Sequence, residues 1–277
     1  MVVEAHQVLT GEVHEMTAGD LRNRAAGESL MLALRSAMAN ERPQTRTDTL
    51  LGRHPVPAAS RSWYVGIIGE LDVARVLRTL PDEWLVVHSV PVGNKGSDID
   101  HVVVSPTGRV LTLNTKHSPG GKVWVSPRAF LVNGQRQPYL RNSQHEAERA
   151  AKLVGAAAGG HVATLGVIVV VGATLVNKGT PPGIAVVTVN QLKRFLASGL
   201  RPEPSGVSVE LVRHAVAQAS TWTRSVEVPD ASGHIPWFMD LRARVNAARR
   251  RRIEWFWGIL VACVSTPVLF SVLLGFA

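Results

Sequence analysis

The sequence predicts an α/β fold: a mixed central β-sheet flanked by helices, followed by a C-terminal transmembrane helix. Three stretches predict it. Ala163 to Val171, ATLGVIVVV, is a continuous apolar run that suits a strand buried on both faces. Asp98 to Lys116, DIDHVVVSPTGRVLTLNTK, reads as a β-hairpin. Trp255 to Ala277 carries no charged residue over 23 positions, and a helix needs roughly 20 residues to cross a hydrocarbon core.

The elements follow in order. Thr17 to Asn40 has loosely helical apolar spacing, with N-cap residues between Thr17 and Asp20. Glu41 to Arg61 is rich in Pro, Arg, Thr and Ala and reads as a linker. Trp63, Ile67, Ile68, Leu71, Ala74, Val76 and Leu77 give an amphipathic helix that ends before Pro81. Trp84 to Val90 is β-rich, and the hairpin comes next. Lys122 to Ser126 and Ala129 to Val132 form a further pair of strands around Pro127, and Asn133-Gly134 marks a tight turn. Arg141 to Ala158 is an alanine-rich helix, and Ile184 to Val189 a short apolar strand. Gln191 to Ala197 and Ser208 to Ser220 read as helices, Pro229 to Pro236 as a loop, and Trp237 to Arg252 as a basic helix. The expected domains are 1–61 (N-terminal helix and linker), 62–225 (main domain), 226–252 (basic linker helix) and 253–277 (anchor).

Composition narrows the function. The net charge is +9, which suits a polyanion or an anionic membrane face. The single cysteine, Cys263, excludes an internal disulfide and a Cys-rich zinc site. The N-terminus has no basic stretch leading into an apolar one, so no signal peptide is expected. Arg249 to Arg252 just before the apolar tail predict a single-pass anchor in the cell membrane with the preceding domain cytoplasmic. Trp255 and Trp257 would then sit at the interface.

The hairpin holds the chemistry. Ser105-Pro106-Thr107-Gly108 fits a type I turn, and a left-handed Gly108 adds a bulge. Ser105 then pairs with Arg109, Asp100 lies opposite Asn114, and Asp98 lies opposite Lys116. Opposed residues share a face, so Asp98, Asp100, Asn114 and Lys116 cluster on one side, with Ile99, Val103, Leu111 and Leu113 on the other. Two close carboxylates are costly unless a cation lies between them, and a divalent metal with oxygen ligands meets that need. The ordinary alternative is a surface ion pair worth about 0–1 kcal/mol. His101 is expected on the packed side and His117 away from the cluster. Arg141 could touch phosphate. Trp124 and Tyr139 could stack on bases, although core packing is their commoner use.

These residues resemble the NERD (nuclease-related) domain, a branch of the PD-(D/E)XK phosphodiesterase superfamily, over about 62–190. The matching pieces are Gly69-Glu70 on a helix, Asp98-Ile-Asp100-His101 opening a strand, Asn114-Thr-Lys116, Val132-Asn-Gly134, Tyr139-Leu-Arg-Asn142, and the helix carrying Glu146. The resemblance implies a restriction-endonuclease-like sheet and metal-dependent hydrolysis of nucleic acid, DNA ahead of RNA. It implies Glu70 and Asp100 as catalytic metal ligands for Mg²⁺ or Mn²⁺, and Lys116 as the catalytic lysine. Asp98 would support the site. Asn114 stands where the superfamily has an acid, and it adds an oxygen but no charge. Glu146, one turn after Asn142, would then supply the missing acid as a further metal ligand; its ordinary alternative is a solvated helix residue near Arg149. The rival reading is a degenerate domain that binds nucleic acid or a protein partner without cleaving, which Asn114 favours. A third is a membrane-tethered scaffold.

Overall fold

A computed structural model of the chain describes residues 19–92, 97–198, 200, 205–223 and 233–274; of Ser97 and 266–274 only the backbone is described. The helices are α1 (Glu28–Ala39), α2 (Arg46–Leu50), α3 (Arg61–Leu77), α4 (Tyr139–Ala158), α5 (Val189–Ser198), α6 (Val209–Ala217), α7 (Ala219–Trp222) and α8 (His234–Leu274). The strands are β1 (Leu85–Val92), β2 (Ser97–Val104), β3 (Val110–His117), β4 (Lys122–Ser126), β5 (Ala129–Val132), β6 (Gln135–Gln137), β7 (Thr164–Val171), β8 (Thr174–Asn177) and β9 (Ile184–Thr188). Thr17, and the first residues of the expected 229–236 loop, lie outside the described residues.

The strands form two mixed sheets rather than one. The larger runs β1-β2-β3-β7-β9, with β3, β7 and β9 parallel. The smaller runs β6-β5-β4-β8. The split follows from the turns. The chain leaves β3 through Gly120 and leaves β7 through Gly172, both at positive φ, and β4 and β8 then pair with each other. Strand β8 was not expected, because Thr-Leu-Val-Asn is too short to stand out from its surroundings.

Side-chain alternation builds three layers. On one face of the larger sheet Val103, Leu111, Leu113, Val167 and Val169 meet Val73 and Leu77 of α3 and Leu192 and Leu196 of α5. On the other, Val87, Val102, Val104 and Val110 meet α4, α6 and α7. Ile99 joins this second cluster instead of the Leu111 face expected for it. The apolar run of β7 is buried from Gly166 to Val171, as a strand covered on both sides must be.

The N-terminal segment is part of this body. Met31 and Leu34 of α1 and Tyr64 and Ile67 of α3 share a cluster with Phe238, Leu241 and Val245 of α8. The expected linker contains α2, closed by a capping box between Thr45 and Asp48. The basic helix is no mere linker either, because its apolar face is covered by α1 and α3. The half-exposed Trp255 indole donates to the Leu50 carbonyl at 2.8 Å.

The transmembrane helix expected over 253–277 does not gain support. Among the described residues no helix is long and apolar enough to cross a membrane. The described side chains of that stretch end at Ser265.

Helix α3 lies on β3 at Gly69. A Cβ there would stand 2.7 Å from His117 Cβ and 3.2 Å from Thr115 Cγ2. Gly69→Ala is therefore expected to destabilise the fold by about 1–3 kcal/mol, read as a lowered urea midpoint. A second prediction concerns the cross-strand pair His88 and His101, whose Nδ1 atoms lie 2.8 Å apart. Burial lowers His88 from 6.5 to about 4, and burial followed by the neighbouring His88 lowers His101 well below 6.5. The folded values are depressed, so both rings are neutral in the fold and their contribution is complete above 6.5. It drains away as pH falls toward about 4. Thermal unfolding between those pH values should show falling stability, and His88→Gln should flatten the slope.

Candidate active site

The bulged turn forms as expected. Gly108 has φ +81°, its N–H donates to Ser105 O at 2.9 Å, and Ser105 N–H donates to Arg109 O at 2.9 Å. The ladder pairs Val104 with Val110 and His101 with Leu113. That register turns Asn114 and Lys116 toward α4, while Thr115 and His117 meet α3 at Gly69.

Beyond His101–Leu113 the backbone ladder ends. The expected Asp100–Asn114 and Asp98–Lys116 pairs are not part of it. Instead the Asp100 carboxylate accepts the Thr115 N–H at 2.5 Å, a side-chain bond in place of a ladder bond. The strand pairing stops here.

Five expected residues, Glu70, Asp100, Asn114, Lys116 and Glu146, act on one another beside this end of the ladder. Glu70 arrives from α3 and is only 5% exposed. Burial raises its carboxyl well above the ordinary 4.5, and the Asp100 charge raises it further. Burial also raises Asp100, while Lys116 and the Thr115 N–H pull it back. Glu146 arrives from α4, raised by burial and by Asp100 and lowered by Asn114. The Asn114 amide donates to both Glu146 oxygens at 3.0 Å. Lys116 Nζ stands 4.8 Å from the centre of the Tyr139 ring, a cation–π seat that aims the ammonium.

Asp98 stands apart. Its carboxylate accepts the Ser29 hydroxyl, and burial raises it while Ser29 and Arg24 oppose the rise. His101 is fully buried on His88, and His117 Nδ1 lies 2.7 Å from Val65 O. Both histidines are thus engaged away from these five residues. Arg141 is exposed near the start of α4. Asn142 is no cap, since its N–H makes a helical bond to Pro138 O at 3.0 Å. Two contributors were missed: the Gly27 backbone hydrogen-bonds Glu70, and Ser29 binds Asp98. Both lie in the segment before Ser62. Their only sequence signal is a glycine before a helix, and Gly27 at φ +74° is that helix's N-cap.

Among the described residues, no group of three or more His, Cys, Asp or Glu is close enough to hold a metal ion. The donor chemistry nevertheless suits a hard divalent cation. Glu70 and Asp100 are both raised by burial, the Asp100 charge raises Glu70 further, and the buried Asn114 Oδ1 has no hydrogen-bond partner. A cation would relieve both conditions.

A search of curated proteins gives no match, and a search of solved structures gives none. Residues 65–171 match the family model of the nuclease-related domain, NERD. The match begins within α3, includes Glu70, Asp100, Asn114, Lys116 and Glu146, and ends with β7. The chain therefore carries a nuclease-related domain over residues 65–171, consistent with the PD-(D/E)XK nuclease family.

Proposed function

We propose that this chain hydrolyses phosphodiester bonds of nucleic acid, DNA ahead of RNA, with a divalent cation, Mg²⁺ or Mn²⁺. One observation carries the reading: two buried carboxylates, Glu70 and Asp100, the second opposing the charge of the first, beside an ammonium seated on an aromatic ring. Glu70, Asp100 and the Asn114 amide oxygen would hold the cation, with Glu146 completing the set from α4. When bound, the cation polarises a phosphoryl oxygen and lowers the pKa of a water.

The chain's own residues do the rest. Asp100 is fixed by the Thr115 N–H, so its free oxygen keeps a constant direction. Lys116 faces the charge that develops on the phosphate as water adds and one P–O ester bond breaks. The leaving oxygen takes up the proton. Asn114 spares the site a fourth close carboxylate and holds Glu146 in place through two bonds.

Nicking and end-degradation of DNA by the full chain with Mg²⁺ or Mn²⁺ test the reading. Lys116→Ala and Asp100→Asn should each reduce cleavage by about 100-fold or more, and EDTA should abolish it. Glu146→Gln should weaken divalent-ion binding measured by calorimetry. Cleavage that persists in both single variants removes this site. The rival reading, nucleic-acid or protein binding without cleavage, draws on Asn114 and wins if the ion and nucleic acid bind but no product forms.

Location at the cytoplasmic face of the cell membrane is a separate proposal. Exposed Phe256, Trp257, Ile259 and Val261 directly after Arg249 to Arg252 support it. Flotation with anionic vesicles tests it, and recovery of the chain away from the vesicles rejects it.

A further inference from the structure

The smaller sheet has one face in the core and one in solvent. Val123, Val125 and Phe130 point inward with Ile168 and Val170 of β7. Lys122 and Trp124 alternate with them and point outward. The pairing sets Val176, Trp124, Leu131 and Arg136 in one row across β8, β4, β5 and β6. Opposed residues share a face, so an indole and an arginine head stand on the same outer surface. Trp124 is 38% exposed and Val176 44% exposed.

The charge on this module has one sign. From Ser118 to His145 the sequence contains no Asp or Glu, yet it carries Lys122, Arg128, Arg136 and Arg141. Lys178 follows β8 in a loop that also lacks acids. Among the described residues none of these five cations forms an ion pair. Arg136 is steadied instead by the Arg128 carbonyl, to which it donates at 2.7 Å. Around that edge Arg128, Arg136 and Arg141 line a hollow of about 400 Å³ walled by Phe130, Pro138 and Leu140. Phe130 touches Tyr139, with ring centres 5.2 Å apart, and Tyr139 carries Lys116. The basic surface is therefore joined to the active site by one run of ring contacts.

We propose that the outer face of the smaller sheet is a platform for single-stranded nucleic acid, with a base stacked on Trp124 and phosphates on Lys122, Arg136 and the Arg128–Arg141 edge. An open indole between Val176 and Leu131, on a surface whose charges are all cations, matches the chemistry of an unpaired base on a charged backbone. A paired duplex hides its base faces and would leave the indole unused. The proposal rests on the reading that the chain acts on nucleic acid, but not on cleavage.

The test is fluorescence anisotropy with a labelled oligothymidylate and a duplex of equal length, using the full chain in EDTA so that no cleavage occurs. The single strand should bind more tightly than the duplex. Trp124→Ala should weaken single-strand binding about tenfold or more, and Trp124→Phe should largely restore it, which a folding defect would not allow. Lys122→Gln with Arg136→Gln should make the affinity measurably less salt-dependent. No single-strand binding, or binding unchanged in Trp124→Ala, overturns the platform. So does a preference for the duplex, for an acidic polypeptide or for anionic vesicles. Trp124-dependent binding with no cleavage in Mg²⁺ or Mn²⁺ would leave the platform standing and remove the hydrolase. Cleavage lost in Asp100→Asn, with binding indifferent to Trp124, would do the reverse.

Discussion

A single backbone dihedral sets the arrangement around the site. Gly108 in the left-handed region gives the Ser105–Arg109 turn its bulge, and the bulge fixes which residues of β2 and β3 face each other. A slip by one residue would exchange the faces of every side chain on β3. Leu111 and Leu113 would leave their cluster under α3, and Asn114 and Lys116 would turn away from α4. The apolar pattern and the polar site are therefore enforced together. The larger sheet cannot be packed well with the polar residues in the wrong place.

The site lives on an opposition between burial and charge. Glu70, Asp100 and Glu146 are each raised first by loss of water, and the Asp100 charge raises both of the others. Single donors answer them: the Gly27 backbone for Glu70, the Thr115 N–H for Asp100, and the Asn114 amide for Glu146. Each donor satisfies one carboxylate but neutralises none. Lys116 supplies the positive charge nearby, and it opposes the rise of all three. An acid at position 114 would add a further anion against Glu146, so the asparagine has a local electrostatic reason.

Much of this was legible in the residues because the signals are local. Ser-Pro-Thr-Gly names a turn, the apolar run of β7 names a buried strand, and Asn133-Gly134, at φ +50° and +81°, names the next hairpin. Lys116 and Glu146 were placed by parity and helical spacing. Four features were not legible, and each depends on contacts between distant segments. The division into two sheets turns on β8, four residues long. The parting of β2 from β3 after His101 depends on a side chain replacing a ladder bond. The burial of α8 on α1 and α3 joins residues about 200 positions apart in sequence. The outward indole of Trp124 is fixed by the small sheet's own core, whereas its apolar neighbours in sequence suggested an interior place. The anchor expected over 253–277 rested on the length of an uncharged run and the arginines before it, which do not show what the helix meets.

The loop before α1 carries a wider consequence. Gly27 and Ser29 reach Glu70 and Asp98 from outside the stretch that matches the nuclease-related domain. The Arg24–Glu28 ion pair, 3.0 Å long and almost wholly enclosed, clamps that loop in position. The structural unit around the candidate site is thus larger than the matched stretch. A fragment trimmed to residues 65–171 would strip two acids of their donors and uncover the flank of α3, and its behaviour would say nothing about the full chain.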